Sequence, residues 1–165
     1  MKIQTARLEL VAGTAEMFVP GCDLGPLLGC AIPESWPFAN AADHLEVFRS
    51  MAETDPEWAP WFFIATDGER RLVGDGGFYG PPEDGFLMVG YEIDQAEWNK
   101  GFATEALRAL SSWAFERADV GVIEAVTEPD AGSSQRVLAK AGFKPGGLTD
   151  EGLSLFSLTR SDLPD

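Results

Sequence analysis

The chain is poor in the groups that build metal sites and disulfide frameworks. Its 165 residues include two cysteines, Cys22 and Cys30, and one histidine, His44. That is too few for a disulfide scaffold, and no clustered histidine or further cysteine completes a zinc site, so no metal is expected. A reducing cytoplasm is the expected compartment. Cations are also scarce. Twelve Lys plus Arg stand against 27 Asp plus Glu, a formal net charge of -15. Such a surface repels phosphate backbones, which argues against direct nucleic-acid binding. It suits cationic partners, or simply high solubility. Long apolar runs are missing as well. None approaches the ~20 residues that cross a membrane, and the opening MKIQTARLELV lacks the apolar stretch and cleavage site of an export signal.

What is present is enough for a core. The chain is 45% hydrophobic and carries five tryptophans, which excludes disorder as the default state. Its length fits one domain over residues 1–165. Residues 7–12 alternate as a short strand. Thr14 offers an N-cap to a helical region broken at Pro20-Gly21 and Gly25-Pro26. Residues 33–38 read as a rigid aromatic loop. Residues 40–53 place Ala41, Leu45, Phe48 and Ala52 on one helical stripe. Then the period changes. Residues 61–66, 72–79 and 86–93 are apolar or alternating runs separated by turn chemistry, an antiparallel three-strand meander. A strong helical pattern covers 101–118, a strand 122–127, and a helix 133–141 closed by Gly142. Strands at 143–145 and 153–159 end the chain. The order predicts an α+β, or mixed α/β, fold around one sheet.

The most informative segment runs from Val89 to Leu107. A strand ends, a polar turn follows, and a long helix starts at Gly101. Helix N-termini carry unpaired N–H groups and partial positive charge. Gly101 and Ala103 remove bulk where an anion's oxygens would approach them, a recipe for binding pyrophosphate. An ordinary tight strand-to-helix junction would look the same. Gly74, Gly76, Gly77 and Gly80 lie within one strand and its turn, so they read as bulges or close packing rather than a nucleotide fingerprint.

Trp98-x-x-Gly101-x-Ala103 resembles the R/Q-x-x-G-x-G/A acetyl-CoA loop of the GNAT N-acetyltransferase superfamily. The form Trp-x-Lys-Gly-Phe-Ala-Thr-Glu-Ala is similar to its RimJ/RimL-like, ribosomal-protein N-acetyltransferase branch. Thr5 to Leu10, Leu72 to Gly76, and Ser134 to Phe143 resemble further blocks of that branch, in family order and spacing. The resemblance implies a twisted, mostly antiparallel sheet flanked by helices. It also implies a splay between the 89–93 strand and the 123–127 strand, with the pantetheine arm in the gap.

The same resemblance implies a site. Backbone groups of Tyr91 and Ile93 would meet the pantetheine. Those of Trp98, Asn99, Lys100, Gly101, Phe102, Ala103 and Thr104 would hold the pyrophosphate, with Ser134 on the second CoA helix. Transfer would run directly from acetyl-CoA to an amine, without a covalent enzyme intermediate. Many relatives place a tyrosine where this chain has Leu138. Ser134 would then donate a proton to the leaving thiolate, or would merely cap its helix. Ala131 stands where the branch usually has asparagine. Glu92 and Glu124 are the candidate bases, each with a solvated surface glutamate as the alternative. His44 reads as a helix-surface residue and Cys22 as structural.

Charge patterning adds an acceptor side. No Lys or Arg occurs between Leu8 and Phe48, while Glu9, Glu16, Asp23, Glu34, Asp43 and Glu46 do. Trp36, Phe38, Trp58 and Trp61 interleave with the acids of this region and the next. That combination suits a cationic amine, or reflects core aromatics beside solvated acids. Lys100, Arg108, Arg136, Lys140 and Lys144 would offset the phosphates. The expected partners are acetyl-CoA and an amine acceptor, either a protein N-terminus or a small cationic amine, with the protein a monomer or homodimer. A non-catalytic acyl-CoA-binding module, or a structural domain, is the alternative function.

Overall fold

The computed structural model describes residues 1–163. Eight strands form one sheet in the order β1-β2-β3-β4-β5-β6-β8-β7. They are β1 Lys2–Gln4, β2 Leu8–Ala12, β3 Trp61–Ala65, β4 Arg71–Phe78, β5 Phe86–Ile93, β6 Val122–Thr127, β7 Lys144–Leu148 and β8 Ser154–Thr159. Every neighbouring pair is antiparallel except β5 and β6. Four α-helices among the described residues complete the fold: α1 Leu24–Leu28, α2 Ala39–Thr54, α3 Phe102–Phe115 and α4 Gly132–Lys140.

The sheet divides the apolar side chains into two cores. On one face α3 buries Phe102, Ala106, Leu107, Leu110 and Ala114 against Leu8, Leu10, Phe63, Val89 and Ile123. These α3 positions recur at three- and four-residue intervals, so they share one helical face. On the other face Phe62, Ile64 and Leu72 meet Phe18, Leu24, Phe38 and Ala52. The α4 helix ends as its sequence predicts. Gly142 takes φ 97°, its N–H bonds to Ala139, and the Phe143 N–H reaches back to Leu138. This is the double bond pattern of a Schellman cap.

Two irregularities shape the centre. Phe63 pairs with Gly74 but Ile64 pairs with Leu72, so Val73 is an extra residue, a β-bulge. Further along β4 the glycines are obligatory. A Cβ on Gly74 would sit 2.4 Å from the Glu92 carbonyl oxygen, and one on Gly76 2.6 Å from that of Gly90.

The sequence reading departs from the structure in specific places. The region after Thr14 shrinks to a 3-10 turn over Ala15–Phe18 and the single-turn α1, and the Thr14 hydroxyl makes no cap bond. Strand β1 carries too few residues to show a period. Of the two readings left open for the aromatic rings, the packed core is the one that fits. Trp58 and Trp61 are buried with Trp113, and Trp36 and Phe38 pack edge-to-face in the second core. Glu9 is likewise buried beneath Arg70 rather than lining a groove. Burying large rings outweighs leaving them in water.

Candidate active site

Strands β5 and β6 pair only from Phe86 to Met88, against Val122 to Glu124. Beyond that they separate. Tyr79 N–H bonds to the Met88 carbonyl and Asp94 N–H to that of Val73. Even-numbered β5 residues therefore point their backbone groups at β4. By alternation the N–H and C=O groups of Tyr91 and Ile93 face the gap. The Ile93 carbonyl accepts a bond from Trp98 Nε1 at 2.8 Å, although the Trp98 ring is largely exposed.

At the far end of this turn Asn99 and Gly101 both adopt left-handed φ, 64° and 83°. Gly101 opens α3 without a side chain to cap it, so the first N–H groups, those of Phe102, Ala103 and Thr104, are free for an anion. An open cleft of about 870 Å³ runs past Gly101 and Thr104 and is lined by Lys2, Arg7, Arg108 and Lys140. Among the cations read from sequence, Lys100 pairs with Glu97 and Lys144 with Asp162. The Arg108 guanidinium bonds to the Lys140 carbonyl. The loop is held from behind by Arg7, which bonds to the Lys100 carbonyl.

Across the gap, α4 begins at Gly132 with Ala131 as its N-cap, and no side chain caps it. Ser134 is thus the third helical residue, not a cap. Its Oγ lies 3.0 Å from the Tyr91 hydroxyl. Burial pushes the Tyr91 phenol above its usual pKa, against a smaller opposing effect of the Ser134 bond, so it keeps its proton at neutral pH. Leu138 is fully buried one turn on. Gln135 braces the loop before α4 through the carbonyls of Glu128 and Pro129.

A cavity of about 220 Å³ passes through the splay. Tyr91, Thr127, Ser134 and Leu138 line one end, and Asn40, Phe48, Met51 and Asp75 the other. Glu92 projects to the α2 side, opposite Tyr91 and Ile93. Both of its oxygens are engaged, by the N–H groups of Asn40 at 2.9 Å and Ala41 at 2.8 Å. It therefore caps α2 from outside, replacing the side-chain cap that Phe38 cannot supply. Glu124 lies where β6 pairs with both Met88 and Ser157, and it is not among the described residues lining the cavity. His44 is exposed and bonded to the Asn40 carbonyl. Cys22 and Cys30 are partly buried thiols of the second core. Desolvation raises both pKa values, which keeps them unreactive.

Sequence reasoning named Tyr91 for its backbone and missed its side chain. Strand alternation, together with the missing tyrosine at Leu138, was the available signal. Asp75 was missed altogether, although a lone acid inside an apolar, glycine-rich strand is conspicuous.

A sheet parted between two central strands, with an uncapped glycine-led helix at one end of the part, defines an acyl-CoA-type transferase fold. The acetyltransferase (GNAT) domain family matches residues 24–144, and the chain belongs to that family. An uncharacterized N-acetyltransferase of Bacillus subtilis, YjdG, is 30% identical over 70% of this chain and 71% of its own length. Another, p20 of Bacillus licheniformis, is 28% identical over 68% of this chain and 64% of its own. The fold matches the ribosomal-protein-S5-alanine acetyltransferase of Vibrio fischeri over the whole of both chains, with a TM-score of 0.70 and 16% identity. It matches Mycobacterium smegmatis RimJ, solved with a CoA disulfide, over 96% of this chain and 84% of that one, with a TM-score of 0.66 and 20% identity.

Proposed function

We propose that the protein binds acetyl-CoA in the β5–β6 gap and passes the acetyl group directly to a primary amine. The observation that carries this reading is the gap itself. It is edged by the outward-facing backbone groups of Tyr91 and Ile93 and ends at the Tyr91–Ser134 hydroxyl pair. Acetyl-CoA supplies the activated thioester. The chain's own groups divide the remaining work. The amides of residues 98–104 hold the phosphates, helped by the helix field of α3. The gap-facing backbone of Tyr91 and Ile93 pairs with the pantetheine amides like a short strand. An N–H near Ile93 faces the developing oxyanion. Ser134, backed by the protonated Tyr91 phenol, donates to the departing sulfur.

Glu92, whose two oxygens already hold the start of α2, takes a positioning role in this reading. A thiol-release assay with acetyl-CoA over a panel of amines tests the reading. The panel would include peptides starting with serine or alanine, spermidine and an aminoglycoside. Release that depends on the amine is expected. CoA binding without release for any amine would instead favour the non-catalytic binder to which Leu138 and Ala131 point. Failure of CoA to raise the melting temperature would refute both.

A further inference from the structure

This inference deepens the acetyltransferase reading above and rests on it. Asp75 is the single charged side chain of β4 past Arg71, and it is 2% exposed. The bulge at Val73 shifts the strand's phase. Asp75 thus shares a face with Phe62 and Glu92, its partners on either side, beneath the start of α2. Glu92 beside it is satisfied by two amides. Asp75 is met only in part: the Glu92 carboxylate lies within hydrogen-bonding reach of its protonated form, and its Oδ2 is fully buried and takes no donor among the described residues. An unmet buried carboxyl oxygen costs more than about 1–3 kcal/mol. Such a cost persists where the group meets a ligand. Asp75 lines the cavity through the splay, on the side away from Ser134. The walls around it are Phe48, Met51, Pro60 and Phe78, and no lysine or arginine among the described residues lines the cavity.

We propose that Asp75 is the amine-binding group and base of the reaction, holding the acceptor's primary ammonium on the α2 side of the splay and taking one of its protons. The chemistry balances. The Asp75 carboxylate removes a proton from R–NH3⁺. The freed lone pair forms the C–N bond to the acetyl carbon, and the C–S bond breaks. Sulfur takes a proton from the Ser134 hydroxyl, which is restored by the second proton leaving nitrogen. Asp75 then returns its proton to water, so the products are an N-acetyl amide, CoA thiol and one H⁺. The apolar walls favour an ammonium on a compact apolar stem.

The titratable group facing Asp75 is the Glu92 carboxylate from β5, itself held by the amides that open α2. Burial first, and Glu92 second, raise its pKa well above the usual range. A bound ammonium would oppose both effects and favour the carboxylate form.

The test is Asp75→Asn, which keeps the shape and removes the charge. With the amine panel above, kcat/KM for the amine should fall about 100-fold, while KM for acetyl-CoA and the CoA-induced rise in Tm stay as in wild type. The variant's own Tm at pH 7 should equal or exceed wild type, since a buried carboxyl is gone. A loss of less than tenfold overturns the inference and leaves the acetyltransferase reading standing. A wild type inactive on every amine overturns the reading itself. A second measurement reads binding alone. Calorimetry of 1,4-diaminobutane binding to the CoA complex should give binding weaker by about tenfold or more for Asp75→Asn than for wild type. Equal binding by the two overturns the assignment.

Discussion

The guanidinium and the backbone amide of Arg7 both donate to the Glu105 carboxylate, at 2.9 and 2.7 Å. Thr5 adds a hydroxyl bond to the same carboxylate, and a second Arg7 nitrogen reaches the Lys100 carbonyl at 2.7 Å. Two sequence blocks 98 residues apart thus form one clamp behind the loop that opens α3. The guanidinium also lies 4.7 Å from the Phe102 ring centre, where cation–π attraction adds to the grip.

Glu105→Gln should loosen that clamp. Its side-chain NH2 would face donors, leaving at least one of them unmet, at a cost of about 1–3 kcal/mol. Urea denaturation at pH 7 would measure the loss, and CoA affinity should weaken with it. Burial alone would raise the Glu105 pKa, but the bonds from Thr5 and Arg7 outweigh it and hold it below the reference 4.5. A lowered carboxyl stabilises the fold above the unfolded pKa and loses that contribution as pH falls through the folded value. Wild type and variant should therefore converge in stability as the pH drops below 4.5. A constant difference down to pH 2 would contradict the clamp.

Gly101→Glu should abolish CoA binding while leaving circular dichroism close to wild type. The new carboxylate enters the anion space, and a Cβ there stands 3.1 Å from Arg7 Nη2 at a left-handed φ of 83°. Backbone strain alone costs about 1–2 kcal/mol, so Gly101→Ala serves as the control for strain without charge. Undiminished CoA affinity in the glutamate variant would remove the loop from the binding site.

Ser134→Ala and Tyr91→Phe each delete one partner of the 3.0 Å pair. Each should lower kcat by about 10–100-fold with KM for acetyl-CoA little changed. Because the two hydroxyls act together, the double variant should lose no more than the worse single one. Multiplying losses would mean that they act separately.

Gly76→Ala should destabilise the protein. The added methyl would lie 2.6 Å from the Gly90 carbonyl oxygen and 2.9 Å from the Tyr91 Cα, and backbone cannot move aside as a side chain would. A loss of about 1–3 kcal/mol is expected, read as a lower urea midpoint. A wild-type midpoint would mean that β4 and β5 stand further apart.

The sequence exposed those parts of the fold that follow local periodicity. The bounds of β5 and β6 agree residue for residue with the apolar runs at 86–93 and 122–127, and the parting of the two strands lies where the resemblance implies. Long-range geometry left no local mark. Nothing near Phe38 says that α2 would be capped by Glu92 from another strand. Nothing near Ser134 says that it would meet a phenol 43 residues away. The acid-and-aromatic pattern before Asp67 left an acceptor groove and a packed core both open, and only the folded structure shows the rings buried.

The extra residue at Val73 carries a consequence for evolution and engineering. Removing that residue would close the bulge without moving the pairs beyond it. Leu72 would stay opposite Ile64, Gly74 opposite Phe63 and Asp75 opposite Phe62. The strand would lose local twist, but the carboxyl would keep its face. A one-codon deletion at this point would thus be silent in register, so relatives can vary in strand length here and still carry a carboxyl at the same place.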